Sequence, residues 1–281
     1  MATPPVLSAT VAAWWADDLA ASHDENDPVP SWTDRENGLV LSQASSPSRP
    51  SFSAGAVNGR PGVVFDGTND YLRRAGTLST SSTGCVLAVV QIPTVDSSFQ
   101  YVWGSSDEAT INYWQGGGLQ SMWRTIWRND TSTRQYLSDY SAATGFAVVE
   151  WSSDGSELTL RVNGQVKSTT QSALAGTSLA ADGVWFGTIP NRDSFAVGAL
   201  ARSSVGSFLA GAIGFLVVLD APLSTADRAD LYGWIAGEYH LLPGEPVLPG
   251  TLDPVALWWA TDLQSTHDDG DPVSAWVDSI G

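Results

Sequence analysis

The sequence predicts an all-β protein of antiparallel strands closed by a single C-terminal helix, and three observations predict it. From Gly84 onward, short apolar runs are punctuated by turn residues at hairpin spacing, at Gly116-Gly117-Gly118, Asp154-Gly155 and Asn163-Gly164. Between two of these turns, Leu158, Leu160 and Val162 alternate with Thr159 and Arg161, the pattern of a strand with one buried face. Helical spacing of apolar residues is clear in one place, at Leu231, Trp234, Ile235 and Tyr239, behind a capping pair Ser224 and Asp227.

Taken in order, Leu7 to Trp15 is an apolar run that can enter a sheet. Asp17 to Pro30 is acidic and turn-rich, and Pro28 and Pro30 bar a long helix there. Trp32-Thr33-Asp34 is expected to anchor the returning chain, and Ser42 to Ala56 reads as a Ser/Pro/Ala loop. Gly62 to Phe65 is a short strand closing at the tight-turn pair Asp66-Gly67. Cys85–Ile92 reads as a buried strand and Tyr101–Gly104 as another. Ile111–Trp114 and Leu119–Arg128 flank the triple glycine, which is expected to be their hairpin turn. Phe146–Trp151 and Leu158–Val162 form a second hairpin, and Asn163-Gly164 opens a third. Val184–Gly187 and Phe195–Ala199 are expected as short strands, and Ile213–Leu219, apolar on both faces, as a central one. A helix near 225–240 follows, packed on the outside of the sheets, and Pro243-Gly244 stops it.

One stretch occurs twice. Val11 to Asp34 is repeated, without a gap, as Val255 to Asp278. Shared residues include Trp14-Trp15 with Trp258-Trp259, Leu19 with Leu263, His23 with His267, Trp32 with Trp276 and Asp34 with Asp278. The period is that of a whole domain and far longer than a solenoid repeat. We therefore expect one domain over residues 1–243, a Pro-rich linker at 244–252, and the start of a second, incomplete copy at 253–281. That short copy is too small to bury its three Trp side chains alone.

Composition excludes several functions. The chain of 281 residues is 43% hydrophobic, enough for a sizeable core. Its net charge of −17 argues against nucleic acid and against anionic membrane surfaces, both of which need a basic face. No run of 18 apolar residues exists, so no membrane insertion is expected, and no secretory signal is read at the start. Cys85 is the single cysteine; it lies in an apolar run and is expected in the core.

Several motifs together resemble a known family. They are the opening Trp14-Trp15 segment through Asp27-Pro28-Val29 and Trp32, the run Arg60-Pro61-Gly62-Val63-Val64-Phe65-Asp66-Gly67 on to Tyr71-Leu72, the hairpin Leu160-Arg161-Val162-Asn163-Gly164, and the close from Gly211 to Leu241. The chain is similar over residues 10–242 to the laminin-G-like, concanavalin A-like jelly rolls common in bacteriophage and bacterial surface proteins. Gly214 and Phe215 stand where that family usually has Ala and Glu. The resemblance implies a two-sheet antiparallel jelly-roll sandwich with one C-terminal helix. It also implies a virion protein of the tail or fibre, assembled with other virion proteins and expected as a homotrimer. Such jelly rolls host lectins, glycosidases and spacers, so function must come from the site.

Three functions compete at this stage. A glycoside hydrolase needs carboxylates flanking the scissile bond, and related enzymes carry Glu-x-Asp-x-x-Glu on a strand. The nearest match, Glu25-Asn26-Asp27 with Pro30 in the last place, falls in a turn, and Glu150 and Glu157 lack that spacing. No enzyme is therefore expected. Adhesion to a host surface glycan would use the aromatics crowded into the middle strands, beside arginines. The candidates are Tyr113, Trp114, Trp123, Arg124, Trp127 and Arg128. Alternation puts Trp123 and Trp127 on one face and Arg124 and Arg128 on the other, and pattern favours the first as core. The third reading is a spacer without sugar binding. No cofactor is expected; Asp24, Asn26 and Asp27 could gather oxygens for calcium, against the plainer reading that they close a turn through backbone N–H groups.

Overall fold

The computed structural model describes residues 5–95, 98–110, 113–129, 132–141, 144–169, 171–173 and 184–240, without the side chains of 129, 132–141 and 171–173. All of them fall in the first of two units into which the chain divides, Met1–Leu248. The linker at 244–252 and the repeated segment from Val255 lie outside the described residues.

Two antiparallel sheets pack face to face as a jelly-roll sandwich. The first runs Gln165–Ser168, Leu158–Val162, Gly145–Ser153, Gly84–Ile92, Ala210–Leu219, Arg60–Asp66 and Ser51–Val57, with Thr10–Trp15 also paired to Ala210–Leu219. The second, here the outer sheet, runs Gln171–Ala173, Ser132–Ser141, Met122–Asn129, Tyr113–Gln120, Gln100–Ser106, Ser194–Val197, Leu72–Ala75, Val40–Ser42 and Ser31–Thr33.

Ala210–Leu219 is interior, as its unbroken apolar run predicts. It pairs with Gly84–Ile92 along one edge and with Arg60–Asp66 and then Thr10–Trp15 along the other. Ile213, Leu216 and Val218 enter the core between the sheets, while Ala212, Phe215, Val217 and Leu219 face the helix Thr225–Glu238. The alternation slips at Gly214, where a Cβ would stand 2.7 Å from the Tyr239 hydroxyl. That contact explains the glycine, and Phe215 beside it packs 4.2 Å from the Trp15 ring.

In its first copy, Val11–Asp34, the segment has a structural task at most shared positions. Adjacent strand residues point to opposite faces, so Trp14 enters the intersheet core and Trp15 the helix side, where Trp234 meets it edge-on at 4.7 Å. Trp32 is buried and donates its indole N–H to the Trp15 carbonyl at 3.0 Å. Asp34 is buried and accepts backbone N–H groups from Ala13, Glu36, Asn37 and Leu39, stitching the turn to the first strand. Val29 and Leu19 close the core beneath.

The helix begins as its caps predict, with Ser224 Oγ accepting from the Asp227 N–H at 3.0 Å. Leu231, Tyr232 and Ile235 are its buried face. An ion pair also ties it to the sheet. Glu150, fully buried, accepts from Arg228 at 2.9 and 3.0 Å and from Arg161 at 3.3 Å.

Three expectations change. The triple glycine is not a turn: it lies inside Tyr113–Gln120, and the hairpin closes at Ser121, whose φ is 58°. Glycine is needed there because aromatic rings occupy the Cβ positions. A Cβ on Gly116 would stand 2.4 Å from the Tyr101 ring, and one on Gly117 would stand 2.3 Å from Trp103 Nε1 and 2.7 Å from Trp151. Ser42 to Ala56 is not one loop, since Ser51–Val57 pairs with Arg60–Asp66. Val184–Gly187 is not a strand; Phe186–Thr188 is a 3-10 turn that buries Phe186.

Two measurements check this packing. Gly117→Ala should cost about 1–3 kcal/mol in urea unfolding through overpacking, whereas Gly55→Ala, with nothing within 4 Å of the added carbon, should be neutral. Arg228→Met strands part of the Glu150 charge and should cost about 3 kcal/mol, more than Arg35→Met at an exposed pair.

Candidate functional site

Strand alternation separates the sugar-binding candidates. Trp123 and Trp127 point between the sheets and are 1% and 0% exposed. Trp123 meets Trp151 edge-on at 6.2 Å. A sugar platform on these two rings is therefore ruled out, because the more apolar face of Met122–Asn129 is core. Tyr113 packs partly buried against the same core. Trp114, Arg124 and Arg128 lie on the opposite, outward face, with Arg128 across from Trp114 and Arg124 across from Gly118.

On that face Trp114 does not offer its ring either. It is 6% exposed, and the guanidinium carbon of Arg202 stands 5.3 Å from its centroid. Arg202 arrives on a crossing segment that is well pinned. Gly198 N–H donates to the Val102 carbonyl at 3.0 Å, the Ser106 hydroxyl donates to the Ala201 carbonyl, and Tyr101 N–H donates to the Ser207 carbonyl at 3.0 Å. Leu200 on this segment fills the hollow left by outward-facing Gly104, joining Tyr101, Trp114 and Ile126 in a small cluster.

The result is a strip with a cation at each end. Arg202 lies over Trp114; Trp114 meets Tyr101 edge-on at 5.9 Å; Tyr101 meets Phe99 at 4.4 Å; and the Arg124 guanidinium lies 5.8 Å from Phe99. Arg124 also donates to the Gln120 side chain, and Trp151 donates its indole N–H to the Arg124 carbonyl at 2.8 Å, holding that strand against the core. Sequence reasoning reached Arg124, Arg128 and Trp114 but missed Arg202, Tyr101 and Phe99. Arg202 sits in Ala201-Arg202-Ser203-Ser204, which carries no periodic or motif signal.

The other arginines show what is unusual here. Arg35, Arg60, Arg73, Arg161 and Arg228 each meet a carboxylate. Arg49, Arg74 and Arg192 donate to backbone carbonyls. Arg124 and Arg202 meet no carboxylate among the described residues, and the Nε of each is buried without a partner. Burial pulls both guanidinium groups below their ordinary pKa.

The remaining candidates are committed to structure. Asp27 accepts from the Asp24 N–H at 2.9 Å, Asp27 N–H donates to the Asp24 carbonyl at 3.0 Å, and Asn26 takes the left-handed φ of 67° that closes this turn. Among the described residues no group of three His, Cys, Asp or Glu is placed to hold a metal ion. Glu25 accepts from the Ala54 N–H at 2.8 Å, and this bond lowers its pKa, the opposite of what a general acid needs. Asp66 accepts from Thr68 and Asn69 N–H groups, and Asp70 accepts from Asp66 N–H at 3.1 Å.

No protein-family profile matches the chain, and no curated protein matches it. Among solved structures it shares its fold with an arabinanase domain. Domain 4 of AbnA, a GH43 extracellular arabinanase from Geobacillus stearothermophilus in complex with arabinotriose, has a TM-score of 0.55 and 15% identity, over 80% of this chain and 99% of that one. The CBM40 of the Ruminococcus gnavus IT-sialidase has a TM-score of 0.45 and 14% identity, over 59% and 93%. The NanB sialidase of Streptococcus pneumoniae (K499G mutant) has a TM-score of 0.42 and 13% identity, over 53% of this chain; the match spans only 24% of the sialidase chain.

Asp70 supplies a pH test of this region. Burial, and then the Asp66 charge, raise its pKa to about 6 from 3.8. Ionised Asp70 is therefore disfavoured in the folded state, and its share of stability should rise as pH falls from about 6 to 4. Asp70→Asn should remove that slope, measured as the difference between wild-type and variant urea midpoints across this window.

Proposed function

We propose that the chain is a non-enzymatic glycan-adhesion module carried in a bacteriophage tail or fibre. The observation that carries the binding reading is the strip on the outer sheet, where Arg124 and Arg202 are half-buried and meet no carboxylate among the described residues. Hydrogen-bond donors fixed in a partly desolvated setting are what a polar ligand uses for orientation. The fold shared with the AbnA domain, which is in complex with arabinotriose, is compatible with this reading. Hydrolysis is disfavoured by the carboxylates. Glu150 is matched by two arginines, Glu25 is held in a turn by the Ala54 N–H, and Glu157 is exposed at a turn.

The tail assignment rests on the resemblance of residues 10–242 to phage jelly rolls and on the repeated segment Val255–Asp278. A net charge of −17 suits a solvated surface displayed in many copies. Single sites of this kind bind weakly, and threefold or higher display would multiply retention through effective concentration.

The full chain on a glycan array, with a reducing-sugar assay on the retained ligands, tests this. Retention without release of reducing ends is expected. Release would make the protein an enzyme, and no retention on any glycan would leave the spacer reading in its place.

A further inference from the structure

We infer that the strip on the outer sheet recognises an acidic saccharide, whose anionic groups are met by Arg124 at one end of the strip and by Arg202 at the other. The inference rests on the glycan-binding reading above and names the class of sugar. Its first ground is a mismatch between supply and use. The chain has 30 Asp and Glu against 13 Lys and Arg, so a carboxylate partner is easy to provide. Among the described residues Arg35, Arg60, Arg73, Arg161 and the deeply set Arg228 have one, and Arg124 and Arg202 do not. Leaving two partly desolvated cations unmatched is unfavourable for folding. An anion from outside the chain removes that cost.

The second ground is what the aromatic rings are doing. Stacking on a sugar ring needs an open π face, but Trp114 and Tyr101 are 6% and 4% exposed. They instead support guanidinium groups. Arg202 rests on Trp114 and Arg124 lies near Phe99, so the rings limit where the two cations can swing. With the Nε of each buried and Arg124 Nη1 given to Gln120, what each guanidinium offers outward is its remaining Nη N–H groups, donors suited to an anionic oxygen of a carboxylate or a sulfate ester.

The third ground is placement. The segment carrying Arg202 is tied at Gly198, Ala201 and Ser207 to the strand Gln100–Ser106, and Tyr101 of that strand lies between the two ends of the strip. The net charge of −17 does not forbid an acidic ligand. At physiological ionic strength charges beyond about 8 Å are largely screened, so the local cations decide.

The test uses the full chain in calorimetry with oligomers of galacturonate, glucuronate and mannuronate, their methyl esters, a sulfated oligosaccharide and single-stranded DNA. At least one acidic oligosaccharide should bind, roughly tenfold or more above its neutral ester, with affinity falling as salt rises. Arg124→Gln and Arg202→Gln should each weaken that binding roughly tenfold while leaving the melting temperature equal or higher, because each removes an unmatched buried charge. A lower melting temperature with unchanged binding would make the arginines structural and overturn the inference. Equal binding of acid and ester would overturn it while leaving glycan adhesion standing. Failure of every acidic and neutral saccharide would defeat both readings. Preference for the sulfated probe would identify the anion as a sulfate ester, and equal binding of DNA would overturn saccharide recognition.

Discussion

The fold depends on one strand that must be apolar on both faces. Ala210–Leu219 lies between a core of Trp and aliphatic side chains on one side and a helix on the other. Its neighbours, Thr10–Trp15, Arg60–Asp66 and Gly84–Ile92, all come from more than a hundred residues earlier, so it gathers distant segments into one sheet. Water reaches neither face, and its backbone groups are satisfied by ladders on both edges. The helix then becomes an obligatory cover for Phe215, Val217 and Leu219. The buried Glu150–Arg228 pair adds direction to this apolar contact, since it is satisfied in one helix position.

The tryptophans follow from the same demand for volume. Trp14, Trp32, Trp103, Trp123, Trp127, Trp151 and Trp185 are all fully buried. Rings of this size are accommodated by removing side chains opposite them, and the glycine run of Tyr113–Gln120 does that. Indole N–H groups are the cost of the arrangement. Trp32 and Trp151 find carbonyl partners, whereas those of Trp14, Trp103, Trp127 and Trp185 are buried without one. Hydrophobic burial, worth about 25 cal/mol per Å², outweighs those losses for side chains of 150–250 Å².

With its large rings consumed inside, the outer sheet is left to interact through cations. The inside of the strand Met122–Asn129 fixes the outside, because Trp123 and Trp127 cannot leave the core without destroying it. Arg124 and Arg128 therefore face outward in a set register. The Trp151 bond to the Arg124 carbonyl couples that register to the core. A recognition surface built on such a strand is held in place by the sandwich itself.

Local chemistry was legible in the sequence alone. Asn163-Gly164 turns the chain with both residues at positive φ, Ser224 caps the helix, and alternation assigns Trp123 and Trp127 to the core face. Each of these is decided by a residue and its near neighbours. Tertiary structure alone decided where the triple glycine sits, because the rings that require it, Tyr101, Trp103 and Trp151, come from other strands. It also decided that Arg202 meets Trp114 and that, among the described residues, Arg124 and Arg202 meet no carboxylate while Arg228 finds Glu150. Those pairings span dozens of residues, and strand order, rather than spacing along the chain, brings the partners together.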